Sequence, residues 1–149
     1  MMKNETRMSP VVSIDQAPSS APSEYRPRVL VVDDESVIAD TLAEILSRSG
    51  YAAEPAYDGA SALETALLKP PELLITDVML PGMSGIELAI QLRRIFPDCK
   101  ALLFSGQAGT SDMLASAHRA GHHFTLLTKP VHPKDLLAWV SESLKPVSV

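Results

Sequence analysis

Leu73-Leu74-Ile75-Thr76-Asp77 is a short stretch without helical period, apolar through most of its length and closed by a carboxylate. Three other stretches share that form. Val29-Leu30-Val31-Val32 runs into Asp33-Asp34, and Ala101-Leu102-Leu103-Phe104 runs into Ser105. Phe124-Thr125-Leu126-Leu127-Thr128 runs into Lys129-Pro130. Short apolar runs of this length fit strands buried on both faces, as in a parallel sheet. Parallel strands would deliver all these polar side chains to one carboxyl edge, where sites form in open α/β sheets.

The segments between the runs read as helices. Val37, Ile38, Leu42, Ile45 and Leu46 share a helical face, and Gly50 stands where a C-terminal cap belongs. A short strand follows at about Ala52 to Tyr57, and its Pro55, which cannot donate to a ladder, predicts an edge position. Asp58 can cap a helix with face Ala62, Leu63, Ala66 and Leu67, ended by Lys69-Pro70-Pro71. Ser84 and Glu87 form a capping-box pattern ahead of a helix with face Ile86, Ile90, the Arg93 stem and Ile95 or Phe96. Thr110 or Ser111 opens a fourth helix that ends at Gly121. Pro133 suits the first turn of the last one, whose face is Leu136, Leu137, Val140 and Leu144. The alternation βαβαβαβαβα predicts an α/β fold, a parallel sheet covered on both faces.

Residues 1–27 contrast with this. Ala17-Pro18-Ser19-Ser20-Ala21-Pro22-Ser23 is small, polar and Pro-rich, and predicts a disordered tail or a tether that docks on a partner. The expected organisation is therefore a tail over 1–27, one domain over 28–145 and a C-terminal tail over 146–149, with no second domain. At 149 residues the chain is long enough for one real core. The net charge of −5 argues against a general nucleic-acid binder. The lone Cys99 excludes an internal disulfide and fits a reducing compartment. No apolar run is long enough to span a bilayer, and Met1-Met2-Lys3-Asn4-Glu5 begins no secretory signal, so a cytoplasmic protein is expected.

The gathered side chains define a chemistry. Two carboxylates ~4 Å apart repel by roughly 4 kcal/mol at an effective dielectric near 20. Asp33, Asp34 and Asp77 can therefore cluster only with compensation. Mg²⁺, which takes carboxylate, water and phosphate oxygens, supplies it, and Lys129 adds more. Taken singly the residues have plainer explanations: Asp33-Asp34 as a helix cap, Asp77 as a turn residue before Pro81-Gly82, Lys129-Pro130 as a loop. Taken jointly at strand ends they describe a site for a divalent cation and a phosphoryl group. A carboxylate beside Mg²⁺ can act as a nucleophile toward phosphorus, with Lys129 and the Ser105 hydroxyl holding phosphoryl oxygens.

From Arg28 to Leu144 the chain resembles the receiver domains of bacterial two-component response regulators, the CheY-like family. The resemblance is carried by Val31-Val32-Asp33-Asp34, Thr76-Asp77-Val78-Met79-Leu80-Pro81-Gly82-Met83-Ser84-Gly85, Ser105-Gly106 and Lys129-Pro130. It implies a flavodoxin-like fold, a five-stranded parallel sheet in order 2-1-3-4-5 flanked by five helices. It implies that Asp77 accepts a phosphoryl group from a sensor histidine kinase or phosphotransfer protein. Asp33, Asp34, Asp77 and the Met79 backbone carbonyl would arrange Mg²⁺, Ser105 and Lys129 would sense the phosphoryl oxygens, and Lys129-Pro130 would be cis. The implied protein catalyses only its own phosphorylation and dephosphorylation. It signals by binding an unknown partner on the face of the fourth helix, fifth strand and last helix, as a monomer or a phosphorylation-dependent dimer, without nucleic acid or membrane.

One position departs from the family. Where receivers commonly carry Tyr or Phe, three residues before the lysine, this chain has Leu126. Phe124 shares its strand face and could take the role through a bulge, or both could be packing residues. Outside the motifs, His118 and His122 stand at metal-binding spacing, but Gly121 ends that helix and no third ligand follows, so solvated histidines are the reading preferred over a metal site. A haloacid dehalogenase-type enzyme would want a second acid where Met79 stands. A dinucleotide-binding enzyme would want G-x-G-x-x-G where Asp33-Asp34 stand.

Overall fold

A computed structural model describes residues 25–106 and 110–145. The strands are β1 (Arg28–Val32), β2 (Ala52–Ala56), β3 (Leu73–Asp77), β4 (Lys100–Ser105) and β5 (Thr125–Thr128). The helices are α1 (Ser36–Arg48), α2 (Gly59–Leu68), α3 (Gly85–Ile95), α4 (Thr110–Arg119) and α5 (Pro133–Ser143). All strand pairs are parallel, in the order β2-β1-β3-β4-β5, as the resemblance implies. The readings of residues 1–24 as a disordered tail and of 146–149 as a C-terminal tail lie outside the described residues.

The sheet separates two apolar layers. Alternate residues of β1 and β3, Val29, Val31, Leu73 and Ile75, meet Leu42, Ala43 and Leu46 of α1 and Leu136 and Val140 of α5. The intervening Leu30, Val32 and Leu74 face α2, α3 and α4 through Ala62, Ala66, Leu88, Ala89, Leu92 and Ala117. β3 is buried along its whole length, which explains its unbroken apolar reading. Pro55 lies in β2 at the edge of the sheet, where no further strand asks for its missing N–H.

Local signals act as their chemistry predicts. The Asp58 side chain accepts from Ser61 N at 2.7 Å, and Ser84 Oγ accepts from Glu87 N at 3.1 Å, capping α2 and α3. Gly50 and Gly121, just past the ends of α1 and α4, have φ of +105° and +95°, a region that costs a side chain dearly. Pro133 opens α5, and the His132 side chain accepts from Lys134 N.

The helix faces differ in detail from the periodicity. Val37 is 76% exposed, Leu67 57% and Ile95 46%. The buried faces instead include small residues, Ala39 and Ala43 beside Leu42 and Leu46 in α1, Ala62 and Ala66 in α2, and Ala89 beside Leu88 and Leu92 in α3. A hydrophobicity pattern counts large side chains and so misses a contact stripe made of alanines. Tyr25, Arg26 and Pro27, assigned to the tail from composition, touch the domain. The Tyr25 hydroxyl donates to Glu72, Arg26 donates to the Tyr51 carbonyl, and the Pro27 carbonyl accepts from Ala52 N at 2.9 Å.

Cys99 precedes β4 and is buried among α3 and β3 side chains, and burial pushes its thiol up to about 11. The unfolded thiol releases its proton near pH ~8.5. The folded thiol therefore holds its proton through that range, and stability falls as pH rises from there. At pH 8, Cys99 of the native protein should react with an aromatic disulfide reagent roughly 100-fold more slowly than in the guanidinium-unfolded chain. Equal rates, followed by absorbance, would show that the thiol is accessible.

Candidate functional site

The registers explain how distant residues come to one place. Val32 pairs with Thr76, Asp77 with Phe104 and Ser105 with Thr128, so β1, β3, β4 and β5 end within two residues of one another along the strand direction. The residues at or just beyond those ends are Asp33, Asp77, Ser105 and Lys129. β2 ends there too, and its Ala56 carbonyl accepts from Asp33 N at 3.1 Å.

Lys129 joins the ends together. Its Nζ donates to Asp33 Oδ2 at 2.9 Å and to Asp77 Oδ2 at 2.8 Å. Asp33 is fully buried and Asp77 nearly so. A buried carboxylate is costly unless paired and hydrogen-bonded, and each of these is both. The second oxygen of Asp33 accepts from Glu35 N at 2.9 Å, and that of Asp77 from Met79 N at 3.1 Å. Burial alone would lower the Lys129 pKa. The hydrogen bonds and charges of Asp77 and Asp33 outweigh it, and the ammonium stays protonated well above neutrality.

Asp34 completes the cluster from the exposed side. Asp33, Asp34 and Asp77 each offer an oxygen within 4.8 Å of the others. Three carboxylates face one ammonium, so two negative charges stand uncompensated. That balance and the all-oxygen donor set fit a hard divalent cation better than a soft one. The cluster opens on a cleft walled by Asp34, Glu35, Met79, Leu80, Pro81, Gly106 and Lys129.

Ser105 closes β4, is 5% exposed, and its carbonyl accepts from Lys129 N at 3.0 Å. The Lys129-Pro130 peptide is cis. Leu126 is opposite Leu103, one alternation back from Ser105, and is 38% exposed. Phe124 lies before the start of β5, roughly 13 Å of strand below the level of Ser105. There it packs under the Arg93 guanidinium, 4.5 Å from its ring centroid, and stacks on His122. The structure thus places Leu126 near the site and Phe124 toward the opposite edge. His118 meets His123, Nδ1 to Nδ1 at 2.8 Å, and not His122, because the chain turns at Gly121 before His122 could continue the helix.

Two residues shape the site without offering side-chain chemistry of their own. Glu35 N holds Asp33, a backbone role with no side-chain signal. Gly85 allows α3 to begin against β3: a Cβ there would lie 1.9 Å from the Asp77 carbonyl oxygen. Its place at the end of the Pro81-Gly82-Met83-Ser84 loop was the available signal.

The chain belongs to the response regulator receiver domain family, which matches residues 29–141. It is therefore the receiver domain of a response regulator in two-component signalling, a class of domain that is generally non-enzymatic, binds Mg²⁺ and interacts with histidine kinases or phosphotransfer proteins. It is 35% identical over 111 residues to the response regulator MprA of Mycobacterium ulcerans, covering 74% of this chain and 47% of that protein. The chain spans about half the length of the curated relatives it matches. A CheY-like receiver domain protein from Methanospirillum hungatei superposes with a TM-score of 0.73 at 31% identity, over 80% of this chain and 94% of that one. The chemotaxis protein CheY4 of Vibrio cholerae gives a TM-score of 0.72 at 27% identity, over 80% of this chain and all of CheY4. Among the described residues no helix is long and apolar enough to cross a membrane.

Gly85→Ala should lower the unfolding free energy by about 3 kcal/mol, because the obstructing atom is backbone and cannot swing aside. Urea denaturation of the two proteins checks this, and a loss below ~1 kcal/mol would mean that α3 is free to slide.

Proposed function

We propose that Asp77 is the phosphoryl acceptor of this receiver, and that the chain acts by phosphorylation-dependent protein binding. The observation that carries the reading is the Lys129 ammonium held between Asp33 and Asp77, with two negative charges of the acidic cluster left uncompensated. In the transfer, a carboxylate oxygen of Asp77 forms a bond to phosphorus while the P–N bond of a donor phosphohistidine breaks and the imidazole leaves. Asp33, Asp34, Asp77 and the Met79 carbonyl are the groups that would hold Mg²⁺. When bound, the ion supplies charge neutralisation for the phosphoryl oxygens. Lys129 is within reach to hold one of those oxygens, and the Ser105 hydroxyl is the candidate for another.

Two surfaces serve this reading. Beside the cleft, Val37, Ile38, Thr41, Phe104, Pro130 and Val131 line an apolar groove that continues from Lys129. A phosphohistidine donor must bring its imidazole to Asp77, and this groove gives its helices something apolar to rest on. Away from it, Leu126 and Trp139 expose apolar surface on the α4-β5-α5 face, which we assign to the downstream partner. Ser105 would signal the phosphorylated state to that face, with Leu126 responding by a change of packing.

Incubation with Mg²⁺ and acetyl phosphate should add one phosphoryl group, read by intact mass, and Asp77→Asn should abolish it. A wild-type protein that stays unmodified with small donors and with phosphorylated kinase would refute the assignment. Val37→Ala should slow transfer from a phosphohistidine donor about threefold or more while leaving labelling by acetyl phosphate unchanged, since only the protein donor needs the groove. Equal slowing with both donors would count against a docking role.

A further inference from the structure

We propose that Thr76 is a positioning residue for Asp77, acting through the Asp77 backbone; this rests on Asp77 being the phosphoryl acceptor. Thr76 is fully buried and faces the α2-α3 layer with Leu74 and Val78, which are wholly apolar neighbours on that face of β3. A hydroxyl among such side chains costs free energy unless it is bonded, and valine would fill the same space without that cost. The Thr76 Oγ1 donates to the Asp77 carbonyl at 2.9 Å. The N–H of the same peptide unit, that of Val78, donates to the Phe104 carbonyl at 3.1 Å. The peptide plane following Asp77 is thus held from both ends.

Two further contacts depend on that plane. Gly85 N donates to the Val78 carbonyl at 2.8 Å, and an ideal Cβ on Gly85 would meet both the Asp77 carbonyl and Thr76 Oγ1. α3 is therefore seated on the very group that Thr76 orients. Met79 N, one peptide further on, donates to Asp77 Oδ1. A rotation of the 77–78 peptide would carry Met79 N away from the carboxylate and loosen the aim of Asp77 toward the cleft. Positioning of the reacting atoms is most of what phosphoryl transfer requires of a protein.

The test compares Thr76→Val, which keeps shape and removes the donor, with Thr76→Ser, which keeps the donor. In the full chain without donor or metal, the Met79 amide should shift upfield and exchange faster in Thr76→Val, and Thr76→Ser should restore both. With Mg²⁺ and acetyl phosphate, Thr76→Val should be phosphorylated about tenfold more slowly, the consequence of a less well aimed nucleophile. Thr76→Ser should return to near the wild-type rate. A Thr76→Val protein that melts earlier but keeps its Met79 amide resonance and its rate would overturn the proposal, leaving Thr76 a structural residue. If the wild-type protein accepts no phosphoryl group, the acceptor assignment fails, and the Met79 amide alone still decides for or against the clamp.

Discussion

The Lys129 ammonium between Asp33 and Asp77 is the constraint on which the edge of this sheet depends. It links β1, β3 and the chain leaving β5, segments 96 and 52 residues apart in sequence. Without it, two buried carboxylates would face each other across a few ångströms in a medium where such repulsion is worth several kcal/mol. The Lys129 Nζ also lies 5.2 Å from the centroid of the Phe104 ring, so an aromatic face adds a cation–π contact to the two ion pairs. Packing, pairing and charge thus converge on one side chain.

The rest of the architecture serves to bring the acids to that lysine. Parallel strands joined by helical crossovers end at one edge, and the registers keep the stagger between their ends to two residues at most. The two oxygens of each buried aspartate are then divided: one accepts a backbone N–H from its own loop, the other accepts from Lys129. The loop bond orients the carboxylate locally, and the lysine bond ties it to the fold. This division leaves the cleft side of the cluster with more negative charge than the protein itself balances.

Much of this was legible in the chain, and the physical reason is periodicity. Unbroken apolar runs such as Leu73 to Ile75, short and alternating with helical stretches, fit strands buried on both faces, and the polar residue ending each run then emerges at the edge. Pro55 announced an edge strand, and Gly121 a helix end, because each has a backbone property no neighbour can mask. What periodicity could not reach was depth. Val37 reads as a core residue and lies 76% exposed, because the alanines beside it make the contact. Phe124 shares alternation with Leu126 and yet belongs to the far edge, because alternation fixes a face and says nothing of height along the strand. Thr76 reads as an ordinary β-branched strand residue, since its hydrogen bond runs to the next backbone carbonyl, a partner with no sequence signature.

Leu126 sharpens the question of how such a site would speak to its surface. A tyrosine at this position could exchange hydrogen bonds as it moved; a leucine has only shape. It lies opposite Leu103, next to the apolar column that continues into Ser105, and is partly open to solvent. If Ser105 draws toward a phosphoryl group, a leucine can follow only by repacking between staggered rotamers, since it has no hydrogen bond to exchange. The gain on closing is then the burial of a partly exposed apolar side chain, on the order of 1 kcal/mol. A gain this small gives a shallow preference, which an apolar partner covering Leu126 and Trp139 would deepen. A receiver built this way would depend on its partner, as much as on its phosphoryl group, to complete the change of state.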